Sequence, residues 1–549
     1  MRVFSRGTLR LCIALGGWLT CHVAFAAPDY PVWADQGDAA ASNAAQVTQN
    51  AALPLRHAAD APFNVTSYRT IDGLQPGSYT VHAHVRSSGG LNSGFIFGRV
   101  DGYSLARSSV PASAELREIV IPSVPVANGH IVVGLHTDAG AGKWAELADI
   151  NVTKDDVARP FLAGGDVSVL SLLEQHGARY YNRAGQARDA LEILRDSGYR
   201  IVRLRLYEDP GSGHGNDGYY WPETSMNLPD LLKLARRAAA LGLQIELTFH
   251  YSDFWTNVDT QGVPSAWVKA LRALPDDAKR FARLRELVFE HTREVMQALQ
   301  AQHTVPQFVS IGNEIQGGML YPYGKADAAN WPHLAALLQA GYEGVKAVSP
   351  ESRVVIHLDD AGNFDKYRNY FDRMQANGAQ WDVIGMSYYP FWTNKPIESV
   401  VAFNKQLVAR YDKDLMVMEV GFNWRPTLPN GFPGQLSNNG PYPAGMSSPQ
   451  GQREFLDNLF QALKSNGRVL GLLYWDPIMI ATPGVGWAVR ESDGKPASNM
   501  VSNTTLFDFS GHALPALDVW RDNAAAMAQI PAPANLPANQ PTNTNSTAK

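Results

Sequence analysis

Two glutamates each follow an apolar run. Glu314 closes Phe308-Val309-Ser310-Ile311-Gly312-Asn313-Glu314, and Glu419 closes Leu415-Met416-Val417-Met418-Glu419. A carboxylate at the end of such a run is costly unless it is paired, hydrogen-bonded or protonated. Two of them facing one cavity are what glycoside hydrolysis requires. One protonates the leaving oxygen, and the other attacks the anomeric carbon or activates water. An isolated glutamate is equally well explained by an ion pair with Arg203 or Arg205, which stand two apart on one face of Ile201-Val202-Arg203-Leu204-Arg205-Leu206. The matched pair, with aromatic residues around it, favours catalysis. Trp255, Trp392 and Trp475 stand just beyond further apolar runs. Each can stack beneath a sugar ring or pack a rim.

These residues need a scaffold that brings strand ends together. Apolar, β-rich runs begin near Phe161, Tyr199, Leu243, Pro306, Ser352, Asp382, Asp414 and Gly471. Helical patterns lie between them, and Gly198, Gly242, Gly378 and Gly467 fall where helices end. Eight strand–helix units predict an α/β fold, a (β/α)8 TIM barrel over 159–530, with its chemistry at the C-terminal ends of the strands. A doubly wound sheet competes, but no glycine-rich phosphate loop follows the first strand. In the barrel, strands 4 and 7 face each other across the mouth, so Glu314 and Glu419 reach one sugar ring.

Residues 27–158 read differently. Short alternating runs, such as Ser78 to Arg86 and Trp144 to Val152, are separated by Gly, Pro, Asn and Ser clusters. That pattern predicts an all-β, jelly-roll-like sandwich domain in front of the barrel. It resembles the galactose-binding-like modules attached to many secreted carbohydrate-active enzymes, which leaves sugar binding and a purely structural role both open. Residues 1–26 read as a signal peptide. Arg2, Arg6 and Arg10 precede an apolar stretch, and Ala24-Phe25-Ala26 is a small-x-small cleavage site. Both cysteines, Cys12 and Cys21, lie inside it, so the mature chain is expected to hold no disulfide and no thiolate metal site. A secreted or periplasmic protein follows. The tail 531–549 is Pro, Asn, Ala and Thr and is expected to be disordered.

Composition narrows the classes further. The 549 residues are 45% hydrophobic, 10% aromatic and 18% charged, with a net charge of −5. This is globular composition with no basic surplus for phosphates, so nucleic acid is not an expected partner. No run has the roughly 18 apolar residues that a membrane span needs, so no membrane partner is expected either.

Several segments together resemble glycoside hydrolase family 53, the arabinogalactan endo-β-1,4-galactanases. They are Asp166-Val167-Ser168, Tyr180-Tyr181-Asn182, Arg203-Leu204-Arg205-Leu206-Tyr207 and His250-Tyr251-Ser252-Asp253-Phe254-Trp255. Gly312-Asn313-Glu314-Ile315-Gln316-Gly317-Gly318, Gly385-Met386-Ser387-Tyr388-Tyr389-Pro390 and Tyr474-Trp475-Asp476-Pro477 complete the set. Asn-Glu at the end of strand 4 is shared by a whole clan of retaining barrels. The full set in this order is specific, and it covers most of 160–510.

The resemblance implies a retaining endo-β-1,4-galactanase acting on β-1,4-galactan side chains of arabinogalactan or pectin. Glu314 matches the general acid/base and Glu419 the nucleophile. Asn313 would bind the sugar 2-hydroxyl, and Arg203 or Arg205 would hold Glu419. Tyr388 would hydrogen-bond the nucleophile, and His250 would line the site near the acid/base. Trp255, Trp392 and Trp475 would carry sugar rings. No cofactor is required. Bacterial relatives often bind calcium in an acidic loop after strand 7. Here that stretch, Gly421 to Gly431, contains no Asp or Glu, so calcium is not supported there. A monomer acting on a polysaccharide is expected. The alternatives are a mannanase or cellulase of the same clan, or a non-catalytic carbohydrate-binding protein. Chain-length preference and branch tolerance are not legible.

Overall fold

In the computed structural model, residues 32–211, 218–222 and 224–528 are described. The expected signal segment 1–26 and tail 531–549 lie outside the described residues. Among those described, no helix is long and apolar enough to cross a membrane.

Eight parallel strands close a barrel: β1 (Leu162–Asp166), β2 (Ile201–Leu206), β3 (Gln244–Phe249), β4 (Phe308–Ile311), β5 (Arg353–Leu358), β6 (Val383–Tyr388), β7 (Asp414–Val420) and β8 (Val469–Tyr474). Each begins within two residues of the place where the apolar runs put it. All eight are buried along almost their whole length, which is why they read as continuous apolar runs rather than alternating ones. Helices on the outside cover them. Helix Leu228–Ala240 is capped by Asn227, whose side chain accepts from the Asp230 amide at 3.0 Å. Helix Pro449–Lys464 begins with proline at its first position, and the Ser448 hydroxyl accepts from the Gly451 amide. Both are ordinary helix starts.

The barrel interior has two layers. The lower is apolar and holds Leu162, Ile201, Phe308, Val355, Val383, Met416, Met418, Leu470 and Leu473. Above it, toward the C-terminal strand ends, the buried residues turn polar: Asp166, Arg203, Arg205, Glu246, Thr248, Ser310, His357, Ser387 and Glu419. The period of two drives this on β2, while on β7 an irregularity in the register with β6, between Val417 and Glu419, brings the adjacent Met418 and Glu419 both inward. On β2 the period stacks Ile201, Arg203 and Arg205 over one another.

The first part of the chain carries two antiparallel sheets. One runs Ala34–Gly37, Phe63–Ile71, Ile131–Ala139, Ser93–Arg99, Ala106–Ser109. The other runs Leu55–Ala58, Trp144–Lys154, Gly77–Ser87, Ser113–Val126. Val81, Val85, Ile96, Ile121, Val133 and Leu135 pack between them. The sheets rest on the barrel through a polar contact. Lys464 Nζ donates to Ser108 Oγ and to Asn523 Oδ1, both at 2.6 Å, and Ser109 hydrogen-bonds Asp457. Burial pulls the Lys464 ammonium down to about 7. The Arg107 amide donates to Ala524 O and the Ser104 amide to Met527 O. The last described segment of the chain thus straps back onto the first sheets.

Candidate active site

At the top of β4 the chain turns sharply. Gly312 takes φ +88°, and a Cβ there would meet the Ile315 side chain at 2.6 Å. Glu314 also takes the left-handed region, at φ +47°, a conformation that costs a non-glycine residue about 1–2 kcal/mol. Asp476, just past β8, does the same at φ +41°. Both turns aim carboxyl groups into the barrel mouth, where Glu314, Glu419 and Asp476 line one cleft. A carboxylate oxygen of Glu314, one of Glu419 and a ring nitrogen of His357 all lie within 4.8 Å of one another.

One guanidinium organises this floor. Arg203 is fully buried. Its Nη1 donates to Glu419 Oε1 at 2.7 Å, its Nη2 to Asn313 Oδ1 at 2.6 Å, and its Nε to Thr248 Oγ1 at 3.0 Å. The second oxygen of Glu419 accepts from the Tyr389 hydroxyl at 2.9 Å. Asn313 is fixed at its other end too, since its Nδ2 donates to Thr256 O at 2.9 Å. Arg205 plays a different part. It pairs with Asp476 at 2.7 Å and Asp166 at 3.1 Å, and its guanidinium lies 4.5 Å from the Trp475 ring centre and 4.8 Å from that of Trp255.

The two glutamates therefore sit in unlike surroundings. Glu419 has a cation and a phenol on its oxygens. Among the described residues, Glu314 accepts only from Ser387 Oγ, at 2.7 Å. Burial, and then repulsion from Glu419, push the Glu314 carboxyl up to about 8. Burial also raises Glu246 to about 7, inside β3, where Thr248 and Ser310 donate to it. Asp476 is likewise raised by burial. His250 and His357 move the other way, well below the usual imidazole value: burial comes first for both, then Arg203, with Arg205 also acting on His250.

The cleft above this floor has a volume of about 380 Å³, within the range of small-ligand sites. Trp255, Trp392, Trp475 and Trp487 form its walls, with Asn313, Gln435 and Met500. A family model described as glycosyl hydrolase family 53 matches residues 162–520, the whole barrel. The chain belongs to glycosyl hydrolase family 53. It is 29% identical over 401 residues to the endo-β-1,4-galactanase of Bacillus subtilis (strain 168), covering 68% of this chain and 88% of that one. It is also 29% identical over 368 residues to the arabinogalactan endo-β-1,4-galactanase of Thermothelomyces thermophilus, covering 65% and 98%. Among solved structures, the Ignisphaera aggregans GH53 catalytic domain aligns with a TM-score of 0.59 at 34% identity, covering 67% of this chain and 98% of that one. The family-53 chain is a glycoside hydrolase.

Within this family-53 barrel, most of the residues expected at the site converge: Glu314, Glu419, Asn313, Trp255, Trp392 and Trp475 all line the cleft. Of the two arginines, Arg203 is the one that touches Glu419. Two expectations need correction. Tyr388 does not bond Glu419; its hydroxyl donates to Lys395 O at 2.9 Å and its ring packs against Phe455. Side chains alternate along β6, so Ser387 and Tyr389 point into the mouth and Tyr388 points to the helices. His250 does not line the cleft. Its Nδ1 bonds Thr256 Oγ1 at 2.7 Å, and the turn 251–256 folds over it, so it supports the wall from behind. Sequence reasoning missed His357, Ser387, Tyr389, Asp476 and Glu246 as parts of the site. A polar residue inside an apolar strand, read with period two, would have marked Glu246, His357 and Ser387.

Residues 421–431, after β7, carry no carboxylate. Asn423 Oδ1 accepts from Asn503, its Nδ2 donates to Leu436 O, and Asn439 Oδ1 accepts from the Asn423 amide. The loops after β7 and β8 are tied by amides, including Gln452, which donates to Phe422 O and Thr504 O.

Proposed function

We propose that this is a secreted, retaining endo-β-1,4-galactanase. The close approach of the Glu314 and Glu419 oxygens, within 4.8 Å, carries the reading. Retaining enzymes hold their carboxyl groups about 5–5.5 Å apart, whereas inverting ones need roughly 6.5–9.5 Å to seat a water between them. In the first step Glu314 gives its proton to the glycosidic oxygen as a Glu419 oxygen bonds the anomeric carbon. In the second, Glu314 takes a proton from water as that water displaces Glu419. A carboxyl raised to about 8 carries its proton near neutrality, as the first step demands. Asn313, pinned by Arg203 and Thr256, presents its amide to the sugar 2-hydroxyl. The names of the family-53 relatives support β-1,4-galactan as substrate, and the segment 1–26 supports export.

A polysaccharide panel tests the substrate. Unbranched β-1,4-galactan should be cut fastest, to short oligosaccharides. Faster cleavage of mannan or cellulose would favour a different specificity on the same two glutamates, and binding without cleavage would favour a carbohydrate-binding role. Because the proposed steps move protons only between Glu314, substrate and water, with Glu419 as nucleophile, exhaustive chelation should leave the turnover rate unchanged. A loss restored by one cation would contradict that.

A further inference from the structure

Ser387 touches the acid/base on one side and a buried histidine on the other. Its Oγ lies 2.7 Å from Glu314 Oε1 and 2.9 Å from His357 Nε2. Ser387 and His357 are buried, at 2% and 0% exposure, and His357 Nδ1 has no hydrogen-bond partner among the described residues. A serine hydroxyl has a single hydrogen to give. Once Glu314 has given up its proton, between the two steps, it only accepts, so that hydrogen points to Oε1, and Oγ must then accept from His357. His357 is therefore the tautomer with hydrogen on Nε2, and Nδ1 is the bare nitrogen. A hydrogen on Nδ1 instead would leave a buried donor unmade, the costlier arrangement.

We propose that His357 and Ser387 are positioning residues forming a one-directional hydrogen-bond chain, His357 Nε2–H to Ser387 Oγ–H to Glu314 Oε1, which reserves Oε2 as the oxygen that carries the catalytic proton. This rests on the acid/base role given to Glu314 above. In the first step the Oε2 proton passes to the glycosidic oxygen, that oxygen's bond to the anomeric carbon breaks, and Glu419 forms the new one. In the second, Oε2 takes a proton from water as the water oxygen bonds the anomeric carbon and the Glu419 bond breaks, returning its electron pair to Glu419. The chain itself transfers no proton; it keeps Oε1 occupied throughout and stabilises the ionised form between the steps. The other charged and titratable groups facing Glu314 are Arg203 from β2, Asp359 at the end of β5, held by Lys366, Tyr389 from the end of β6, Glu419 from β7 and Tyr367 from the helix after β5. His250 from β3 faces His357. None of them changes in the variants below.

The test is a carbon-13 NMR titration of Glu314 in the full chain without substrate, its resonance identified by its loss in Glu314→Gln. Ser387→Ala removes a bond donated to a charged acceptor, so the Glu314 midpoint should rise by about one pH unit. The alkaline limb of kcat/KM on β-1,4-galactan, whose leaving group needs the proton, should move with it. His357→Gln keeps an N–H donor where Nε2 stands and should keep the wild-type midpoint. His357→Phe removes the donor and should shift the midpoint upward. A Ser387→Ala midpoint equal to wild type overturns the chain, as does His357→Gln behaving like His357→Phe. The histidine pair decides the matter if Ser387→Ala does not fold. Because the titration uses no substrate, the expected midpoints in an enzyme that leaves galactan intact would sink the substrate reading and keep the chain.

Discussion

Glu419→Ala should lower turnover by on the order of 10⁵-fold, whatever the leaving group. The nucleophile is gone, and neither Arg203 nor Tyr389 can replace it, since both are donors to the position it vacates. Added azide fits the emptied space and should attack the anomeric carbon from that side, giving the α-glycosyl azide. The variant is also expected to melt at lower temperature. Arg203 and Tyr389 lose their shared acceptor in a buried position, leaving Arg203 only its longer approaches to Asp166 and Glu246, at 3.7 and 3.6 Å, and a buried donor left unmade is costly. Glu419→Gln separates the two effects, because a glutamine oxygen still accepts from Arg203. It should melt near the wild type yet remain inactive. A Glu419 variant that hydrolyses aryl galactosides at a wild-type rate would rule out the double displacement.

Glu314→Ala should fail differently. Polysaccharide cleavage needs a protonated leaving oxygen and should fall by roughly 10³-fold or more, within the range that general acid catalysis supplies. An aryl leaving group needs little protonation, so the covalent intermediate should still form and then accumulate for want of a base. Azide needs no base, and here it should speed turnover and give the β-glycosyl azide. Exchanged stereochemistry between the two rescued variants would mean that the roles of Glu314 and Glu419 are reversed. Stability supplies an independent reading. The folded-state value of Glu314, about 8, lies above the ordinary carboxyl value, so folding takes up a proton between roughly pH 4.5 and 8. Its contribution is full below that window and is lost as pH rises through it. Glu314→Gln cannot ionise, so its melting temperature should gain on the wild type from pH 5 to pH 9. A constant difference across that range would show that burial does not hold the proton on Glu314.

Much of this site was legible because barrel strands are buried on both faces. Their apolar runs are long, and an interrupting Glu or Arg stands out against them, which is how Glu314, Glu419, Arg203 and Arg205 could be picked from sequence. What failed was direction. Tyr388 and Tyr389 are adjacent and identical in type, and only the phase of the alternation, anchored by Ser387, says which one faces Glu419. The same phase hides His357 and Glu246, whose neighbours are apolar and whose partners come from strands far away in sequence. His250 was misplaced because the turn that covers it is irregular. In the first part of the chain, Gly77–Ser87 and Trp144–Lys154 announced themselves by alternation. Ala34–Gly37, Leu55–Ala58 and Ala106–Ser109 are four residues each, too short to show a period.

The strap between residues 104–107 and 524–527 joins the beginning of the chain to its end. Ribosomes make the sheets first and the strap last, so the sheets fold hundreds of residues before their docking partner exists. A greasy docking face would be a hazard during that wait. The face this chain exposes includes Ser108, Ser109 and backbone amides, groups that water satisfies until Lys464, Gln461 and Asn523 take its place. The polar part of that contact can stay hydrated while the rest of the chain is still being made.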